Sequence, residues 1–172
     1  MKQYGVLGYP AKHSLSPVVY DAAFKVLGMD AQFGVFEIEE RELDEFMKYV
    51  LDEPVYGLSV TSPYKQSVMK YLDEVSDEAK AIGAVNCVAN KGGRLIGYNV
   101  DYIGVVKALE EVCGELKGRR VSVLGAGGAG RAAVYGLVGA GCEVSVFNRG
   151  KEKALAVGSE FGCGSGGLDE VS

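Results

Sequence analysis

Short runs of alternating and helical-period hydrophobic positions follow one another along the chain. "QYGVLG" reads as an opening strand. In "SPVVYDAAFKVLG", Val19, Ala22, Ala23, Val26 and Leu27 fall at helical spacing, with Gly28 as a stop. Ser16 followed by Pro17 fits an N-cap and first-turn pair. "QFGVFEI" alternates as a strand does, and "ERELDEFMKYV" sets Leu43, Phe46, Met47 and Val50 on one helical face. "YGLSVT" predicts a strand that breaks at "SPYK", and "EAKAIG" a helix that ends on its glycine. "AVNCVAN" and "RLIGYNVD" predict two strands around the turn "KGG". The helix "YIGVVKALEEV" then leads to "GRRVSVLGAGGAGRAAVYGLVGAGCEVSVFNR", a strand, a glycine turn, a helix and a second strand. "KEKALAVGSEFG" predicts one more helix. Strands alternating with helices predict an α/β fold with a largely parallel sheet.

Composition narrows the class. The chain has 172 residues, 48% of them hydrophobic and 24% charged, which is globular rather than disordered. A net charge of −5 without a basic run argues against a nucleic-acid surface. Cys87, Cys113, Cys142 and Cys163 show no metal-ligand spacing and no CxxC, so free thiols and no metal are expected. "MKQYGVLGYP" lacks the apolar core of a signal peptide, and no run approaches the ~18 apolar residues of a membrane span. The expectation is a soluble, cytoplasmic protein.

The glycine turn carries the first chemistry. Gly125, Gly127 and Gly130, with Ala126, Gly128 and Ala129 between them, spell G-x-G-x-x-G after an apolar strand and at the opening of a helix. In a dinucleotide-binding unit the first glycine permits the tight turn, the second admits a pyrophosphate, and the third lets helix pack on strand. The helix N-terminus offers N–H groups and a positive dipole end to phosphate. About twenty residues on, a carboxylate usually binds a ribose 2′-hydroxyl. Asn148 and Arg149 stand there instead. An arginine pairs with the 2′-phosphate of NADP(H), so Arg149 reads as an NADP selector, with Lys151 and Lys153 adding positive charge. The plain alternative is a solvated surface arginine.

The expected organisation is therefore an N-terminal α/β substrate domain with a largely parallel sheet, residues 1–101, followed by an incomplete Rossmann-type NADP-binding domain, residues 102–172. A doubly wound dinucleotide domain has about six strands. Only two are counted after residue 119, and "GCGSGGLDEVS" reads as a glycine-rich tail. Two strands with exposed edges make a poor sheet. A truncated product, a fragment or one part of a split protein is expected, with self-association or a partner chain covering the incomplete sheet.

The first half sets polar residues at strand ends: Ser14 and Ser16 after the first strand, Lys65 after "VTSPY", Asn86 in "GAVNCV" and Asp101 at the end of "GYNVD". Each alone is ordinary turn or surface chemistry. Together "KHSLSP", "VTSPYK", "IGAVNCV", "GYNVDYIG" and "LGAGGAGRAA…FNR" resemble, in order and spacing, the shikimate dehydrogenases. The resemblance implies NADP(H)-dependent, reversible reduction of 3-dehydroshikimate to shikimate. It implies that Ser14 and Ser16 hold the substrate carboxylate, Thr61 the ring and Asn86 a ring hydroxyl. Lys65, as general acid and base, and Asp101 would face the reacting oxygen. It also implies Asp77 near the cofactor, although "SDEAK" equally suits a helix start. His13, the only histidine, sits beside the serine turn and reads as structural.

Several positions depart from the family pattern: Ser59 stands for Asn, Cys87 for Thr, Val100 and Tyr102 for Thr and Gly, and Gly150 for Thr. Tyr102, the bulkiest change, is expected to narrow or reshape the substrate pocket. Alternatives are a quinate-type dehydrogenase of altered specificity and a non-catalytic ligand-binding homologue.

Overall fold

The structure is a computed structural model, which describes residues 1–171. Contacts gather the chain into two compact units, Met1–Ala79 with Val85–Tyr98, and Lys80–Ala84 with Asn99–Ser172. The boundary expected after residue 101 lies inside the second unit. Asn99 accounts for this: its amide donates to Ala84 O at 2.9 Å, and its Oδ1 accepts the Asp101 N–H at 3.0 Å.

The first unit contains β1 (Lys2–Gly8), α1 (Ser16–Val26), β2 (Ala31–Glu37), α2 (Leu43–Asp52), β3 (Val55–Val60), β4 (Glu74–Val75), β5 (Cys87–Asn90) and β6 (Leu95–Tyr98). Its sheet runs in the order β2-β1-β3-β5-β6-β4. β5 is antiparallel to both neighbours, and the other pairs are parallel. α2 buries Leu43, Phe46, Met47 and Val50, the four residues its period selects, against Leu7, Leu58, Val60, Val88 and Leu95. β4 has two residues, too few to show a period in the sequence.

α1 departs from expectation. Val19, Val26 and Leu27 are exposed at 63%, 86% and 69%, and only Phe24 of the helix is buried. The aromatic face turns inward instead. Tyr20 stacks on Phe33 at 4.2 Å between ring centroids, and Phe24 meets Tyr4 at 5.3 Å. Large rings bury more area than Val or Ala and gain from ring contact, which explains the rotation. Ser16 lies inside the helix rather than capping it; Leu15 holds the cap position.

The second unit contains α4 (Asp101–Cys113), β7 (Arg120–Leu124), α5 (Gly128–Gly139), β8 (Glu143–Asn148), α6 (Lys151–Phe161) and β9 (Gly164–Gly167). β7, β8 and β9 form a parallel sheet in that order. The glycine-rich "tail" thus supplies a third strand, Gly164–Gly167. Its glycines hide it from any hydrophobic pattern, and packing demands them. A Cβ on Gly158 of α6 would stand 2.5 Å from Ser165 Oγ, and one on Gly164 would stand 2.5 Å from Ser145 Oγ. The short helix α3 (Asp77–Ile82) ends at Gly83, whose φ of +68° suits glycine.

Candidate functional site

In the first unit, β1 leads into a loop that carries Ser14 and ends at Ser16, the first residue of α1. The Ser14 N–H donates to Ala11 O at 3.0 Å. Ser14 Oγ accepts the Ser16 N–H at 3.2 Å and donates to Ser16 Oγ at 3.1 Å. The two hydroxyls therefore sit side by side, as a carboxylate would require. His13 is exposed beside them.

Backbone bonds gather the other expected residues of this unit. The Thr61 N–H donates to Leu7 O at 2.9 Å, the Val60 N–H to Asn86 O at 2.8 Å, and the Val85 N–H to Lys65 O at 2.6 Å. A side chain on Gly8 would collide with Thr61 Cγ2, so the glycine lets the loop close on Thr61. Ser14, Ser16, Thr61, Lys65 and Asn86 thus issue from neighbouring ends of β1, β3 and β5 in one sheet, where open α/β sheets bind ligands. Asp77 opens α3, whose Ala79 N–H is taken by Ser76 Oγ at 3.2 Å, the arrangement of a helix start.

No local pattern marks the residue that holds the serine loop. Glu37, the last residue of β2, accepts the N–H groups of Ala11 and Lys12 at 2.8 and 2.9 Å on Oε2. Its Oε1 lies 3.2 Å from Lys12 Nζ. The two backbone bonds, with Lys12, hold the Glu37 carboxyl below the usual carboxylate range. Ser59 and Cys87, both departures from the family pattern, face each other across β3 and β5. They line a cavity of 260 Å³ with Tyr4, Tyr20, Phe24 and Tyr56, and burial pushes the Cys87 thiol up.

In the second unit the glycine turn has the anticipated form. Gly125 has φ +115°, a conformation that other residues rarely adopt, and its N–H donates to Phe147 O at 2.7 Å. A Cβ on Gly130 would strike the Gly125 carbonyl, so the third glycine admits the turn itself rather than the strand. A Cβ on Gly127 would meet nothing, leaving open space in front of the N-terminus of α5. The first N–H groups of that helix have no intrahelical acceptors. The turn therefore fits a phosphate-bearing cofactor.

The basic end of β8 is less uniform than expected. Asn148 latches the turn: its Oδ1 accepts the Ala126 N–H at 3.3 Å and its Nδ2 donates to Gly150 O at 3.1 Å. Arg149 is exposed at the strand tip. Lys151 does not offer a free charge, because its ammonium is paired with Glu170, which raises the lysine and lowers the carboxyl. Asp101 sits in the first turn of α4, its N–H held by Asn99. The Tyr102 ring meets Tyr135 edge-on at 5.3 Å, between α4 and α5. Arg131 was also missed. It donates to Ile82 O at 2.5 Å and pairs with Glu160 at 2.6 Å, tying α3's end to α5 and α6.

Residues 6–88 match the family described as the shikimate dehydrogenase substrate binding domain, and residues 107–169 match that of shikimate / quinate 5-dehydrogenase. The shikimate dehydrogenase (NADP(+)) of Aquifex aeolicus is 44% identical over 92% of this chain and 59% of its own length. That of Bacillus cereus strain G9842 is 48% identical over 90% of this chain and 57% of its own. Among solved structures, the Aquifex aeolicus shikimate dehydrogenase superposes with a TM-score of 0.93 at 42% identity, covering 96% of this chain and 62% of that one. The Thermus thermophilus shikimate 5-dehydrogenase, solved with NADP(H) and shikimate, superposes with a TM-score of 0.88 at 41% identity over the same shares. The chain thus spans about three-fifths of the length of the relatives it matches. The two family models, the sequence identities and the superpositions agree, and the chain belongs to the shikimate dehydrogenase family.

Proposed function

We propose that this chain carries the substrate site and the dinucleotide turn of an NADP-dependent oxidoreductase that interconverts 3-dehydroshikimate and shikimate. The observation that carries this reading is the paired hydroxyls of Ser14 and Ser16, in a unit whose sheet also leads, beyond its strand ends, to Thr61, Lys65 and Asn86. A relative at 41% identity, solved with NADP(H) and shikimate, supports it.

Ser14 and Ser16 donate to the substrate carboxylate, and Thr61 and Asn86 fix the ring and its hydroxyls. The ring is thereby oriented before reaction, which removes much of the entropic cost of the encounter. Lys65 gives a proton to the carbonyl oxygen in reduction and takes it back in oxidation, with Asp101 as the second catalytic group. The cofactor, when bound, supplies the hydride. The N-terminus of α5 and the open face of Gly127 would hold its pyrophosphate, and Arg149 its 2′-phosphate. In this division residues 1–101 hold the substrate and residues 102–172 part of the cofactor site. A partner chain or a second copy would complete the sheet of β7–β9.

The test is NADPH formation from NADP and shikimate by the purified chain, read by absorbance beside Lys65→Ala. Turnover that falls about 100-fold or more in the variant supports the assignment. A folded chain without turnover that still binds shikimate would be a ligand-binding homologue. One that binds neither ligand would contradict the proposal.

A further inference from the structure

The loop between β1 and α1 needs something to hold it, because its hydroxyls are useful only when they stay paired. Residues Tyr9 to Leu15 belong to no helix or strand. The Tyr9 N–H is held by Ser62 O at 3.1 Å, and the apex at Ala11 and Lys12 is held by one outside side chain. Glu37 ends the strand next to β1, at the register position of Gly8, and both N–H groups at the loop's apex point at its Oε2. From there the order passes inward: Ala11 O accepts from Ser14, and Ser14 from Ser16. Ala11 itself is 2% exposed, so the apex is seated in the protein.

We propose that Glu37 is a positioning residue for substrate binding: its carboxylate fixes Ala11 and Lys12, and so presents the Ser14 and Ser16 hydroxyls to the substrate carboxylate. The proposal rests on the functional reading above. A carboxylate beside an anion site would ordinarily repel the ligand. Here its charge is met by two N–H groups and the Lys12 ammonium, so the loop gains an anchor without a net repulsive charge. Two other ionisable groups nearby have partners of their own, and His13 is exposed beside the serines. Glu39 pairs with Arg41 at 2.9 Å and accepts from Tyr9 at 3.4 Å, and the Tyr64 hydroxyl donates to Ile38 O at 2.5 Å. Because the ligand hydroxyls belong to serines that never touch Glu37, its effect is felt only through the loop.

The experiment compares wild type with Glu37→Ala and Glu37→Gln. Calorimetry measures the affinities for shikimate, for the methyl ester of shikimate and for NADP+, and NMR measures hydrogen exchange of the Ala11 and Lys12 amides. Glu37→Ala is expected to speed exchange at both amides and to weaken shikimate binding about tenfold. It should leave NADP+ affinity unchanged and affect the ester, which lacks the charge, much less. Glu37→Gln keeps an acceptor and should recover part of the shikimate affinity; it also serves if Glu37→Ala does not fold. Unchanged shikimate affinity with the amides deprotected would overturn the proposal, as would equal loss for shikimate and its ester. A wild type that binds no shikimate would sink the functional reading and with it the substrate half of the proposal. The exchange rates would still decide whether Glu37 holds the loop.

Discussion

The serine loop and the glycine turn solve the same problem with different chemistry. Each follows the first strand of a parallel pair and leads into a helix, β1 to α1 and β7 to α5. Each is latched by the last residue of the neighbouring strand, Glu37 of β2 or Asn148 of β8. The latches differ in charge. Glu37 takes two loop N–H groups and leaves the paired serine hydroxyls to meet the ligand. Asn148 takes only the Ala126 N–H, leaving the N–H groups at the helix start for phosphate. A carboxylate in place of Asn148 would set a negative charge beside those phosphates. The lesson is that the latch is chosen by which donors the ligand needs: a carboxylate where side chains bind, a neutral amide where the backbone does.

The most damaging way to break this comparison is at Gly130. Gly130→Val puts side-chain atoms into the Gly125 carbonyl, and the turn must open. We expect a loss of about 3 kcal/mol or more in stability, read by chemical denaturation, together with loss of measurable NADP+ binding. Next comes the latch itself. Asn148→Asp keeps the acceptor for Ala126, adds charge and gives up the Nδ2 bond to Gly150 O, and should weaken NADP+ binding about tenfold. If NADP+ affinity is unchanged, the charge of the latch is irrelevant and the comparison loses its point. Arg149→Ala should weaken NADPH about tenfold and NADH hardly at all, as measured by fluorescence titration.

Acid should separate the two loops. Glu37's carboxyl is lowered in the fold, so its contribution is present above the ordinary carboxylate pKa and disappears as pH falls through the folded value. The Ala11 and Lys12 amides should lose protection as pH falls below the ordinary carboxylate range, whereas Ala126 should not, because an amide latch does not titrate. The smallest effect is expected at Lys151: Lys151→Ala removes an exposed ion pair with Glu170 and should change neither stability nor NADP+ affinity measurably.

How much of this could be read from the sequence follows from the range of the signals. Periodicity found α2 and its four buried residues because amphipathicity is local. It misplaced the buried face of α1, because two aromatic side chains outweighed a longer stripe of smaller residues. It missed β9, whose glycines answer to α6 and β8 and carry no pattern of their own. The glycine turn was legible because it is contiguous. Asn148 reads in the sequence as a cofactor contact at the strand tip, and in the structure its side chain bonds the protein's own backbone. Glu37 lies 26 residues from Ala11, and nothing in "GVFEI" marks it until the sheet brings β2 beside β1.

The most direct measurement is an NMR titration of the 15N-labelled chain with shikimate and, separately, with NADP+. Shikimate should move the amides of residues 11–16, Thr61 and Asn86, and NADP+ those of residues 125–130 and Arg149, each set responding to one ligand. Shifts from shikimate confined to the glycine turn, or no shifts with either ligand in a folded chain, would contradict the assignment of the two loops.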